Sequence, residues 1–278
     1  HLFSDDIKNK FSNYEIYQIF KNNKRILLYL LQENIITLEE KIILDMDNSH
    51  YCEFFSPEIK TFFDGHIKIK LLHFKHLNKK IPTTVSTDFN DKRKIGENDS
   101  FLCNLIRNDS IKDFIIYVNE NTISLDTIIK PSIFETNPFL VENNPNLIEY
   151  SAFYGSIQIF KYLRLNNVNL TTKLWLYAIH GQNAEIIQFL EENEVKPPNK
   201  SFKIVLNESI LCHHNNIANY IKETLLQPND DYDGKNKEFN ELSYIFKYRN
   251  YELFPNDFNN TKFVLYNLIA NHYSKLLN

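Results

Sequence analysis

The chain has 278 residues, 31 basic and 35 acidic side chains for a formal net charge of −4, and 43% hydrophobic residues, a third of them aromatic. A chain of this length buries roughly 70–75% of its unfolded surface and needs neither disulfides nor a structural metal to hold a core. Three cysteines, Cys52, Cys103 and Cys212, exclude a disulfide framework, and the longest wholly apolar run, residues 26–31, is far short of the ~20 residues of a spanning helix.

Composition is biased as well: 37 Asn, 33 Ile and 26 Lys stand against 5 Gly and 5 Ala. The best helix former and the most permissive turn residue are both scarce, so helices must be held by packing of Leu, Ile, Phe and Tyr. Sparse, unpaired cysteines suit a reducing interior, and a cytoplasmic location is expected. The chain begins at His1 rather than Met, so an upstream segment is expected too.

In chain order, a helical pattern starts near Asn13, where Ile16, Phe20, Leu27, Leu28 and Leu31 recur at three- and four-residue steps. A second helix fits residues 37–46, with Thr37 as N-cap and Glu40 completing a capping box. Pro57 stands near the start of a third apolar stretch containing Ile59, Phe62 and Phe63. Residues 82–99 read as a polar connection, which divides the chain into a helical N-terminal segment, 1–96, and a second part, 97–278. Charge divides with it: residues 1–96 carry 15 basic and 13 acidic side chains, the remainder 16 and 22.

The second part repeats internally. Residues 151–163, 178–190 and 209–221 align without gaps, at spacings of 27 and 31 residues. A small residue opens each segment (Ser151, Ala178, Ser209) and a polar or glycine turn follows. Apolar residues then return together at Ile159/Ile186/Ile217, Phe160/Ile187/Ala218 and Leu163/Leu190/Ile221. A period near 30 with two short helices per unit is close to the ankyrin repeat of ~33. One such hairpin cannot bury its apolar face alone, whereas stacked hairpins share a core. Asn in the connecting turns is expected to supply the left-handed conformations for which Gly is lacking. An earlier, degenerate unit is visible at Phe114, Ile115 and Val118, set off from Ile159 by an insertion around residues 131–138. At the other end, residues 263–277 look like a further unit cut short before its second helix.

Between Arg93 and Leu226 the chain resembles the divergent ankyrin-repeat proteins of anaerobic protists, which carry an uncharacterised ankyrin-like domain. The resemblance rests on Arg93-Lys-Ile-Gly-Glu-Asn-Asp-Ser100, Leu105-Ile-Arg-Asn-Asp-Ser-Ile111, Lys130-Pro-Ser-Ile-Phe-Glu-Thr-Asn137, Leu147-Ile-Glu-Tyr150, Gly155-Ser-Ile-Gln-Ile-Phe160, Leu174-Trp-Leu-Tyr-Ala-Ile-His180 and Cys212-His-His-Asn215. No unit carries a Thr-Pro-Leu-His opening, and Gly fills its expected turn position only at Gly155. The resemblance implies an all-α, ankyrin-like helical solenoid that binds a protein partner of unknown identity and carries no catalytic residues.

Three constellations invite chemistry. Cys212-His213-His214 has zinc-ligand residue types but no second pair nearby in sequence, so no metal site is expected. Residues 229–240 imitate an EF-hand loop, with Asn229, Asp231, Asp233 and Gly234 in place, but Asn240 stands where a bidentate Glu is needed. Residues 66–80 hold Lys68, Lys70, Lys75, Lys79 and Lys80 without an acid, and could meet RNA or anionic lipid. Ile67, Leu71, Phe74 and Leu77 on one helical face make those lysines a solvated opposite face instead, so nucleic acid and lipid are disfavoured. Signatures of phosphate loops, zinc proteases and serine hydrolases are missing, so no enzyme and no cofactor are expected. Binding is assigned to the concave face and loops: Glu149, Phe153, Tyr154, Tyr177 and His180 on first helices, and Lys173 and Lys200 in loops.

Overall fold

The computed structural model describes residues 10–48, 51–65, 86–226, 237–255, 262, 264, 266 and 267. The basic segment 66–80, residues 229–236 and most of residues 263–277 lie outside them. Among the described residues the chain is all-helical, with no strand and one isolated antiparallel bridge, Ile128–Asn146. None of these helices is long and apolar enough to cross a membrane.

Two compact units divide the chain, but not at residue 96: the first comprises His1–Asn104 and Ile129–Asn144, the second Leu105–Ile128 and Pro145–Asn278. The expected insertion is therefore a return of the chain to the first unit.

In the first unit α1 (Asn13–Phe20) starts on a capping box, in which the Ser12 hydroxyl accepts the Glu15 N–H and the Glu15 carboxylate accepts the Ser12 N–H. Helix α2 (Lys24–Gln32) is capped by Asn23. Helix α3 (Glu40–Asn48) begins three residues later than its sequence suggests. Thr37 does not cap it, because its hydroxyl and N–H are bonded to the Asn13 side-chain amide, 24 residues earlier. Together with α4 (Ser56–Gly65) these helices enclose Tyr17, Leu27, Ile42, Ile43, Met46, Phe54, Phe55 and Ile59, all 1% exposed or less.

Residues 89–95, read in sequence as polar connection, form α5 (Phe89–Ile95). Its polar look comes from Asp91, Lys92 and Lys94, while Phe89 and Arg93 turn inward. Arg93, 2% exposed, meets Glu58 through two hydrogen bonds of 2.9 and 2.6 Å and lies over the rings of Phe54 and Phe89. Gly96 ends the helix at φ +74°, and its carbonyl accepts both the N–H and the hydroxyl of Thr136. Asn98 donates its side-chain amide to the Lys130 carbonyl and its backbone N–H to the Glu135 carboxylate. The stretches 93–100 and 130–137, distant in sequence, are thus one polar knot. Helix α8 (Pro138–Asn143) follows, capped by Asn137.

The second unit is built of helical hairpins. Helix α6 (Phe101–Arg107), within which the division of units falls, precedes α7 (Ile111–Glu120). Three pairs come next: α9 (Leu147–Phe153) with α10 (Ile157–Leu165), α11 (Leu174–Gly181) with α12 (Ala184–Glu192), and α13 (Phe202–Leu211) with α14 (Asn215–Tyr220). These coincide with the three aligned segments. First helices pack on first helices in order, α9 on α11 on α13 on α15 (Lys237–Tyr248), and second helices do the same in the order α7, α10, α12.

Small residues set this spacing. Ser151, Ala178 and Ser209 are at most 1% exposed. Each serine hydroxyl donates to a carbonyl of its own helix, Ile148 and Leu206, and so needs no partner across the interface. The closest approach is at Gly181, where a Cβ would lie 2.0 Å from the Ala152 carbonyl oxygen.

Two outcomes are expected. Gly181→Ala should cost at least about 3 kcal/mol, because the obstacle is backbone and cannot rotate away. Urea unfolding followed by fluorescence of Trp175, the single tryptophan and a member of α11, reads this directly. In the first unit Glu58→Ala leaves a buried, unpaired guanidinium and should cost about 3–5 kcal/mol, whereas the double change Glu58→Leu, Arg93→Met should recover most of that loss. Unfolding by circular dichroism compares the two.

Candidate functional site

The stacking of hairpins decides which first-helix side chains reach solvent. Three residues expected on the surface are not there. Glu149 is 7% exposed, because it caps its own helix through the Asn146 N–H (3.1 Å) and accepts the Thr171 hydroxyl (2.7 Å). Phe153 is buried against His180 and Tyr154. Tyr177 is 1% exposed, and burial, with the Glu149 charge second, pushes its phenol well above the ordinary tyrosine range. All seven residues of α9 are buried, so its sequence offers no exposed face.

Tyr154 is half-buried between the Tyr150 ring and the Arg107 guanidinium. Lys173 and Lys200 are exposed, as expected. His180 is half-buried and stands where three neighbours converge. Accessible along the first helices is a stripe of Lys173, which precedes α11, Leu176 and His180 on α11, and Ile204, Asn207 and Leu211 on α13.

Around His180 the chain assembles a mixed donor cluster. The ring stacks on Phe153, with centroids 4.9 Å apart and planes at 24°. Its Nε2 donates to Glu208 Oε1 at 2.9 Å, and the Cys212 sulfur lies 3.6 Å from Nδ1 and 3.7 Å from Nε2. One nitrogen, one oxygen and one sulfur, all within 4.8 Å of one another, come from two adjacent hairpins.

Cys212 thus joins a histidine of the preceding hairpin rather than its sequence neighbours. His213 turns away, at φ +58°, to the Tyr248 carbonyl, and His214 is held below the ordinary imidazole range by burial and by the facing His180 and His213. Burial, then the Glu208 charge, pushes the Cys212 thiol up to about 12, so the sulfur is protonated at neutral pH, the reverse of a catalytic cysteine's poise. Sequence reasoning missed Glu208. A signal existed: the repeat alignment sets Gly181 level with Cys212, which places His180 one hairpin back and beside it.

A second candidate lies in the first unit. A cavity of about 60 Å³ is lined by Asn22, Lys24, Tyr51, Thr136, Pro138, Val141 and Glu142. Lys24 Nζ donates to the carbonyls of Ile133 and Glu135, each at 3.1 Å, and lies over the Tyr51 and Phe54 rings. These contacts satisfy a buried ammonium and pin the returning segment 129–144, which is a structural task. Burial pulls the lysine down to about 8, opposed by the Glu135 charge.

No protein-family model, curated protein or solved structure matches the chain.

The lysine yields a pH dependence. Its folded value lies below the unfolded ~10.5, so between about pH 8 and 10.5 the unfolded chain holds a proton that the folded chain has released, and stability rises with pH across that window. Relative to Lys24→Met, the wild-type chain should gain about 2 kcal/mol in unfolding free energy from pH 7.5 to pH 10. Parallel urea titrations of the two proteins at each pH check the difference.

Proposed function

We propose that this chain is a non-enzymatic, cytoplasmic protein–protein interaction scaffold whose second unit is an ankyrin-like repeat array. The reading keeps the resemblance to the divergent ankyrin-repeat proteins. The observation that carries it is the stacking of four successive first helices, from Leu147–Phe153 through Lys237–Tyr248, behind an accessible stripe that the stacking itself does not use. Repeat arrays of this kind present such stripes as extended binding surfaces.

The burial pattern redraws the expected recognition surface. Lys173, His180, Lys200 and Tyr154 are kept, and Leu176, Ile204, Asn207 and Leu211 replace the buried Glu149, Phe153 and Tyr177. Leu211 is 39% exposed, more than a residue serving the core alone requires. A mixed rim of Lys and Asn around Leu and Ile suits a folded protein surface.

The test is capture from a cell lysate, read by mass spectrometry, with the wild-type chain and with Lys173→Glu, Leu211→Glu. The double variant should keep its helical circular dichroism and lose the captured protein. Unchanged capture by a folded double variant overturns the assignment of this surface. Tyr177→Ala is the contrasting change: it empties a fully buried site and should cost about 3–5 kcal/mol of stability, so any loss of capture it causes would report unfolding.

A further inference from the structure

We propose that His180, Glu208 and Cys212 form a zinc site that ties one helical hairpin to the next. Three donor side chains brought together from two hairpins carry this site, whatever partner the accessible stripe binds.

A tetrahedral zinc ion with Zn–N near 2.0–2.1 Å and Zn–S near 2.3 Å holds its nitrogen and sulfur ligands about 3.6 Å apart. Cys212 Sγ lies 3.6 and 3.7 Å from the two ring nitrogens of His180. The Nε2 separation is the one that two ligands of one ion keep, and because a sulfur equidistant from both nitrogens lies beside the ring, the thiolate must swing toward the Nε2 lone pair to share an ion with it. The corresponding nitrogen–oxygen separation is about 3.4 Å in such a site. His180 Nε2 and Glu208 Oε1 are 2.9 Å apart, joined through a proton, and need open by only half an ångström when a metal takes that proton's place.

The ligands are also held in place. Glu208 on α13 and Cys212, which caps its C-terminus, are four residues apart and share one face, and the Cys212 N–H donates to the Glu208 carbonyl at 2.9 Å. His180 sits in the last turn of α11, its ring plane set by the stack on Phe153. All three are half-buried, so the cluster is not sealed from solvent.

Donor type selects the metal. Thiolate with imidazole and a single carboxylate favours zinc, or cobalt as its substitute, over magnesium or calcium, which require oxygen shells. Protons balance simply. The thiol loses one to solvent as the S–Zn bond forms, and the imidazole proton moves from Nε2 to Nδ1 as Nε2 becomes the ligand. Three protein ligands with an open fourth position is the coordination of sites that keep an exchangeable water.

The test is to strip the full chain with a chelator and titrate it with cobalt(II). One equivalent should bind, giving the ligand-field bands of a four-coordinate ion and the intense near-ultraviolet band of a thiolate-bound cobalt. Cys212→Ser should abolish the thiolate band and weaken binding at least 10-fold, and His180→Gln and Glu208→Gln should each weaken it comparably. His213→Gln should leave the spectrum unchanged. Zinc should raise the urea midpoint reported by Trp175 in the wild-type chain and leave it unmoved in Cys212→Ser. Absence of the thiolate band in the wild-type chain overturns the proposal even if a variant fails to fold. Persistence of the band in Cys212→Ser overturns it equally, by assigning the metal to another thiol.

Discussion

The contact on which the second unit depends is the approach of Gly181 to the Ala152 carbonyl, close enough to exclude a single methyl group. Helix axes that near one another leave no room for side chains at the crossing, so the stack must place its smallest residues there. Ser151, Ala178 and Ser209 meet that demand at matched positions, the serines returning their hydroxyls to their own helices. With the polar groups satisfied internally, the surfaces that meet are apolar, and Leu147, Ile159, Leu163, Leu174, Ile186, Leu190 and Ile210 become fully buried between successive hairpins. A chain with five alanines can build this interface because a back-bonded serine presents little more than a methylene to its neighbour.

The turns extend the same dependence. Ser156 donates to the Ile106 carbonyl, Asn183 to that of Gly155 and Asn250 to that of Ile210. The Asp109 carboxylate accepts the N–H groups of Gln158 and Ile159, capping a helix in the next hairpin. Each hairpin therefore completes hydrogen bonding that another leaves open, a coupling that packing alone would not supply. The cluster of His180, Glu208 and Cys212 lies on this line of linkage, between the second and third pairs.

Much of this frame was legible in the sequence, because period survives where consensus does not. Three segments at spacings of 27 and 31 residues located three hairpins, and the degenerate unit at Phe114 fell on α7. The surface was not legible. Leu147–Phe153 has Glu and two aromatics at helical spacing, which reads as an exposed face, but neighbours cover the helix on every side and periodicity loses its meaning there. The division between units was hidden for a different reason: residues 129–144 belong with Arg93, Gly96 and Asn98 through side-chain bonds to backbone, and such pairings leave no periodic trace. The stretches 93–100 and 130–137 are accordingly joined in one structural knot.

Helix termini bring composition and stability together. Each first helix ends on a residue in the left-handed conformation, Asp109, Gly155, Gln182, His213 and Arg249, and second helices end on Thr122, Asn167 and Glu194. Asn was expected to supply this conformation in the connecting turns and does so at Asn144, Asn167 and Asn199; of the eight helix ends only Asn167 is an Asn, and the other six non-glycine residues each carry a cost of roughly 1–2 kcal/mol. Hydrogen bonds from the adjoining residue hold the conformation. The N–H groups of Ser110, Ser156, His214 and Asn250 bond back across the helix end, to Leu105, Ser151, Ser209 and Ile245, as those of Ile123, Val168 and Val195 do at the second helices. Single bonds of this kind, worth about 1 kcal/mol net, only match the strain. The surplus must come from apolar burial between hairpins, which an isolated hairpin lacks. A repeat cut from this array would carry its strained termini without the stack that offsets them, so the units are stable only in company and unfold together.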